Sequence, residues 1–232
     1  PADVVGYNRY FGWYKEAGSA ENFGEWLDLY HNEKEKRPVC LSEYGGGGAI
    51  SQHKDNVDWE SDIDPVGVRH YENYQSQLHE ILWKQFSVRK YLWAEFIWCM
   101  FDFASYGRTE GDTKSLNDKG LCTRERIPKD VYFFYRSVWS SKKTVYITER
   151  RHEFRACDVP FVKVYSNADA VELCINDVSH GRISRCELSD DENTVFVWKN
   201  IKIKPDTKNK ICAKAYFSDG TSRTDYAFWT SK

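Results

Sequence analysis

Pro38-Val39-Cys40-Leu41-Ser42-Glu43-Tyr44-Gly45-Gly46-Gly47-Gly48 is the stretch on which the fold turns. A short apolar run enters through a proline and reads as a buried strand; a carboxylate and four consecutive glycines then end it in an open loop. Beyond a polar stretch, Tyr71, Tyr74, Leu78, Ile81, Leu82 and Phe86 fall on one helical stripe, so the strand is followed by an amphipathic helix. The pattern repeats on either side. Upstream, Asp3-Val4-Val5-Gly6-Tyr7 reads as a strand and Phe23, Trp26, Leu27 and Tyr30 as the apolar face of a helix. Downstream, Tyr91 to Phe101 is dense in aromatic and β-branched residues and predicts a third strand, with a loop from Gly107 to Lys119 and a helix from Lys129 to about Trp139. Alternation of this kind implies a parallel sheet.

Near residue 143 the composition changes. Short strand-like runs follow, Thr144 to Thr148, Phe161 to Tyr165, Val171 to Asn176, Thr194 to Ile201, Ile211 to Phe217 and Asp225 to Trp229, divided by turn pairs such as Asn176-Asp177 and Asp219-Gly220. This spacing predicts a β-sandwich. The 232 residues are therefore read as two domains of different class, α/β over residues 1–143 and all-β over residues 144–232.

Composition narrows the function. The formal net charge is −2, and the lysines at 199, 202, 204, 208 and 210 suit a solvated sheet edge better than a nucleic-acid stripe. No apolar run approaches the roughly 18 residues of a membrane helix. Seven cysteines stand singly, without a C-x-x-C pair or a histidine at ligand spacing, so neither structural zinc nor a complete disulfide framework is expected. No Gly-x-Ser-x-Gly elbow supports a serine hydrolase. The glycines 45–48 lack a following Gly-Lys-Ser/Thr and are not a phosphate loop; backbone room beside a pocket is the simpler account.

Glu43 is the residue with chemistry to explain. Carboxyl ends of parallel barrel strands are where active sites form, and a glutamate there is either salt-bridged scaffold or a catalytic group. Four motifs bear on the choice. They are Gly6-Tyr7-Asn8-Arg9-Tyr10-Phe11-Gly12-Trp13-Tyr14; Ser42-Glu43-Tyr44-Gly45; Trp98-Cys99-Met100-Phe101-Asp102-Phe103; and Asn117-Asp118-Lys119-Gly120-Leu121 with Arg126-Ile127-Pro128-Lys129-Asp130. In this order they resemble glycoside hydrolase family 2, the family of β-galactosidases and β-glucuronidases. Val162-Lys163-Val164-Tyr165-Ser166-Asn167 with Val171-Glu172-Leu173 resembles the immunoglobulin-like domain that follows the barrel in many members.

The resemblance implies the carboxyl-terminal portion of a (β/α)8 barrel, about strands six to eight, followed by an immunoglobulin-like β-sandwich. It implies a retaining exo-β-glycosidase with Glu43 as nucleophile and no cofactor or metal. The family's acid/base, an Asn-Glu at the end of the fourth strand about 5 Å from the nucleophile, has no counterpart here, so it is expected in a missing amino-terminal part and the chain alone is expected to be inactive. Tyr10 aligns with a tyrosine that hydrogen-bonds nucleophile and sugar, with Asn8 and Tyr14 on the same strand-end loop; aromatic packing and turn chemistry are their plainer readings. Trp98 resembles the tryptophan flooring the sugar pocket, or is simply core. His53 and His70 lie on the loop after the nucleophile and near the start of the next helix, and His53 is carried as a substrate contact, although a loop histidine more often faces solvent or caps. Asn117-x-Lys119 resembles the pair that grips a sugar carboxylate in the glucuronidase branch, and similar residues occur in the other branch. The β-galactosidase-like branch is the nearer likeness, so a neutral β-galactoside is expected first and a β-glucuronide second. A non-catalytic carbohydrate-binding or scaffold module is the reading from another class. A periplasmic or secreted bacterial setting and a homo-oligomer contact through the sandwich complete the expectations.

Overall fold

The computed structural model describes residues 3–189 and 193–231. They form two units: one runs through Gln52 and resumes at Val57–Lys129, and the other joins His53–Asn56 to the chain from Asp130 onward.

The first unit contains β1 (Val5–Asn8), α1 (Phe23–Glu33), β2 (Val39–Tyr44), α2 (Trp59–Asp62), α3 (Glu72–Phe86) and β3 (Leu92–Ile97), then the two-stranded β4 (Phe103–Ala104) and β5 (Leu116–Asn117). β1, β2 and β3 are parallel with β2 central. β2 takes that place because Val39, Cys40, Leu41 and Tyr44 are all buried, leaving little of the strand for water. The expected stripes of α1 and α3 supply the packing: Phe23, Leu27, Leu78, Leu82 and Phe86 share one core with Leu41 and Tyr44. Among the described residues β1 and β3 each pair on one side only, so the sheet is an open segment of a barrel rather than a closed one. No helix among the described residues is long and apolar enough to cross a membrane.

The second unit starts with α4 (Asp130–Trp139) and continues as β6 (Val145–Ile147), β7 (Phe154–Arg155), β8 (Asp158–Ser166), β9 (Ala170–Ile175), β10 (Val178–Ser184), β11 (Val195–Lys202), β12 (Lys208–Tyr216) and β13 (Ser222–Ser231). A five-stranded sheet, β10-β9-β12-β13-β7, and a three-stranded sheet, β11-β8-β6, enclose a core that includes Val162, Val164, Leu173, Phe196, Ile211 and Trp229. Asn176 and Asp177, at φ 50° and 67°, make the β9–β10 hairpin. β10 escapes the sequence pattern because Val178–Arg182 are exposed and lack alternation, and β7 because it is two residues long.

α4 packs with this unit, although the change in composition comes thirteen residues later. Asp130 accounts for that: its Oδ1 accepts from the Tyr146 hydroxyl at 2.6 Å and its Oδ2 from the Glu149 N–H at 2.5 Å, while Phe133 stacks on Tyr146 at 3.7 Å.

Candidate active site

The parallel register sets Asn8 of β1 beside Glu43 of β2, after an irregularity between Tyr7 and Asn8. The Arg9 N–H donates to the Glu43 carbonyl at 2.9 Å, so the chain leaving β1 is tied to the strand end that carries the carboxylate. Tyr10 then donates its hydroxyl to Glu43 Oε2 at 2.6 Å. Burial, followed by that hydrogen bond and the carboxylate's charge, raises the phenol well above its ordinary range, so it acts here only as a donor. Tyr14 meets Tyr10 edge to face at 5.4 Å. Asn8 is held through its Oδ1, which accepts from Ser42 Oγ at 2.8 Å.

β3 brings the third strand end. Trp98 N–H donates to the Tyr44 carbonyl at 2.9 Å, and the Trp98–Cys99 peptide is cis. The indole is half-buried and meets Phe103 edge to face at 5.9 Å, leaving an aromatic surface open at this end of the sheet. The Cys99 N–H donates to the Lys119 carbonyl and the Leu121 N–H to the Cys99 carbonyl, at 3.1 and 2.9 Å, which fastens the Asn117–Lys119 segment alongside. Asn117 Oδ1 accepts from the Lys119 N–H at 3.1 Å. The Lys119 amine lies 5.4 Å from the Trp13 ring centre and 5.5 Å from that of Tyr14. Lys119 is 3% exposed, and among the described residues its amine has no ion pair or hydrogen bond.

Seven of the eight site residues named from sequence therefore lie in the first unit, linked as a chain of contacts from Glu43 through Tyr10 and Tyr14 to Lys119. His53 is the eighth, and it is grouped with the second unit, where its ring stacks on His152 at 5.6 Å. In that unit Asp55, Glu149 and His152 bring ligand atoms within 4.8 Å of one another. Arg155 pairs with both carboxylates, so the positive charge that such a cluster needs is already present.

Beneath the strand ends runs a buried polar network that the sequence reading missed. Lys129 is fully buried and donates to Gly48 O at 2.6 Å, Asp118 O at 2.8 Å and Asp102 Oδ1 at 2.8 Å. His70, also fully buried, is paired with Asp118 Oδ2 at 2.6 Å, which replaces the expectation of an exposed or capping histidine. Gln75 donates to the Gly46 and Gly120 carbonyls at 2.9 and 3.2 Å. Burial lifts Asp102 to about 6 against the opposing pull of Lys129. The glycine run is threaded through this network: Gly45 has φ 130°, and a Cβ on Gly47 would lie 2.4 Å from Asp118 Oδ1. No local pattern announces this network, because its members meet partners as far as 81 positions away in the chain.

Comparison with known proteins follows the same division. The profile of the family described as glycosyl hydrolases family 2, TIM barrel domain, matches residues 1–144, and a domain family of unknown function (DUF4982) matches residues 159–223. A β-glucuronidase of Bacteroides fragilis is 34% identical over 201 residues, covering 86% of this chain and 28% of that protein. A β-galactosidase of Bacteroides ovatus is 25% identical over 137 residues, covering 59% of this chain and 16% of its own length. Among solved structures, an FMN-binding β-glucuronidase of Faecalibacterium prausnitzii superposes with a TM-score of 0.83 at 33% identity, over 99% of this chain and 32% of that one. The chain thus spans about a third or less of the proteins it matches.

Proposed function

Because the chain belongs to glycosyl hydrolase family 2, we propose that it carries the nucleophile of a retaining exo-β-glycosidase and that the sugar is a β-glucuronide. Glu43 attacks the anomeric carbon while a second carboxyl group protonates the departing glycosidic oxygen; water, deprotonated by that same group, then displaces the glutamate. Tyr10 holds Oε2 of Glu43, directing the other oxygen to the sugar. Trp98 offers an indole face to the apolar C–H side of the ring. The acid/base is assigned to a polypeptide segment outside these 232 residues, as the share of the relatives' length suggests.

Lys119 is the observation that carries the sugar. An ammonium group this little exposed with no carboxylate in hydrogen-bond contact is costly, the Asp118 charge acting on it only through space, and a ligand carboxylate between it and the Asn117 segment would supply a direct partner through a charge-assisted bond. A neutral galactoside leaves that amine only its aromatic faces and the through-space charge of Asp118. The reading accords with β-glucuronidase as the name of the 34% identical Bacteroides fragilis relative, while the Bacteroides ovatus relative keeps the galactoside as the second candidate. The first test is titration calorimetry with D-glucuronate and D-galactose on the chain and on Lys119→Met. Glucuronate is expected to bind more tightly and to lose about tenfold or more in the variant, a charge-assisted hydrogen bond being worth roughly 1.5–3 kcal/mol; equal affinities in both proteins would remove the uronide assignment. Hydrolysis by these residues alone is expected to fall short of a completed barrel by about 10²- to 10⁴-fold, the usual worth of acid–base assistance.

A further inference from the structure

We propose that Cys174 and Cys212 form a two-coordinate site for a soft monovalent cation, Cu(I), on the outer face of the five-stranded sheet of the second unit. The cysteines stand singly in the sequence, and antiparallel pairing brings these two together: Cys174 of β9 lies directly opposite Cys212 of β12. Their strand neighbours Leu173, Ile175, Ile211 and Ala213 are buried in the sandwich core, so both thiols point away from it, to the same side, and both keep some exposure. The Asn176 N–H donates to the Lys210 carbonyl at 2.9 Å, two residues along the same register. That places Cys174 and Cys212 in a hydrogen-bonded pair, with Cα atoms about 5.5 Å apart. Side chains standing side by side at this spacing reach one ion between them through two metal–sulfur bonds of about 2.3 Å.

The donor set selects the ion. Across the sheet the row runs Ser179, Cys174, Cys212, Tyr226, one residue from each of β10, β9, β12 and β13. The Ser179 hydroxyl is already given to Glu172 Oε1 at 2.9 Å. Among the described residues no third cysteine, histidine or carboxylate joins the pair closely enough to make a metal-ligand group, the one such group being Asp55, Glu149 and His152. A hard cation such as Ca²⁺ is thereby left without its oxygens, and Zn²⁺ without the four ligands of its tetrahedral sites; two thiolates alone suit soft Cu(I). Burial pushes both thiols up, helped at Cys174 by the charge of Glu172 and at Cys212 by that of Cys174. Each therefore starts protonated and the ion displaces both protons, two S–H bonds breaking as two S–Cu bonds form. The complex carries one net negative charge, and the Tyr226 hydrogen bond and the Lys210 charge favour the thiolate at Cys212.

The test is anaerobic competition of the fully reduced 232-residue chain for Cu(I) against the chromogenic chelator bathocuproine disulfonate. One ion per chain is expected to pass to the protein. Cys174→Ser and Cys212→Ser should each weaken its binding by at least about 100-fold, a lost ligand costing no less than a lost supporting contact. Cys186→Ser, at another exposed thiol, should leave it unchanged. X-ray absorption on the parent complex should show two sulfur neighbours and no nitrogen, a readout that needs no variant to fold. The proposal is overturned by failure of the chain to take one Cu(I), by that binding surviving in the Cys174→Ser, Cys212→Ser double variant, by an equal loss in Cys186→Ser, or by a nitrogen or a third sulfur at the ion.

Discussion

The hydroxyl of Tyr10 lies 2.6 Å from Oε2 of Glu43, and both side chains are half-buried, so this hydrogen bond to an anion is shielded but still within reach of a ligand. Bonds of this kind are worth roughly 1.5–3 kcal/mol. Tyr10→Phe keeps the ring and its edge contact with Tyr14 while removing only the donor. On the proposed function, kcat/KM in a polypeptide that also supplies the acid/base is expected to fall about 10- to 100-fold, with melting little changed; an unaltered kcat/KM would show that the tyrosine is only packed there. A second residue reports on pH. Burial, and next the charge of Lys129, push His79 down to about 3. The unfolded imidazole takes its proton near 6.5, so below that pH the unfolded state binds the extra proton and stability falls as pH falls toward 3. His79 alone would give a slope approaching about 1.4 kcal/mol per pH unit well below pH 6.5. Asp102, lifted to about 6, takes up a proton in the folded state over the same range and opposes the trend, so the net slope is only a fraction of that. Urea midpoints from pH 7 to 4.5 should shift upward at the acid end in His79→Gln relative to the parent, because only the opposing Asp102 uptake is left; parallel curves for the two proteins would rule the histidine out as the cause.

At the scale of the element, the loop that leaves β2 is the most constrained part of the first unit. A Cβ on Gly47 would meet Asp118 Oδ1 at 2.4 Å, Trp13 Cη2 at 2.9 Å and His70 Nδ1 at 3.0 Å, all from buried side chains. Gly107 supplies the contrast, having φ 83° but nothing within 4 Å of an added Cβ. Gly47→Ala is expected to cost about 1–3 kcal/mol, as overpacking does, and Gly107→Ala about 1 kcal/mol from backbone strain; chemical denaturation of the two variants in the reverse order would contradict this account. The same loop marks where the sequence stops being legible. Its flanking strand and helix follow from period alone, since Leu41, Leu78 and Leu82 must face one core. Glu43, Tyr10 and Trp98 could be named because their order along the chain resembles a known family. The polar network could not, because Lys129 reaches Gly48 across 81 positions and Asp118 reaches His70 across 48. Such separations carry no periodicity, and isolated charges in sequence look solvated until a fold buries them. The exposed β10 and the two-residue β7 were hidden for the opposite reason, having too little apolar pattern to register.

Across the whole molecule, two hydrophobic cores divide the stability between them. One runs from Phe11 to Leu92 and the other from Ile147 to Trp229, with no residue in common. Each sandwich strand pairs within its own unit, and the helix that opens the unit is tied in by Asp130. Residues 130–232 should therefore fold when expressed alone, a span near the common domain size. The one element they would lose is His53–Asn56, and with it the Asp55 carboxylate paired to the buried Arg155. Arg155 keeps Glu149 at 2.9 Å and the ring of Trp229 at 4.6 Å, so its charge remains partly compensated. Asp55→Asn in the full chain imitates the loss and should lower the melting temperature of the second unit by the same few degrees that separate the excised unit from the parent. A cooperative melt by circular dichroism, offset as in Asp55→Asn, is the expected result. A non-cooperative transition in the excised unit would mean that the sandwich core depends on the first unit for more than this one carboxylate.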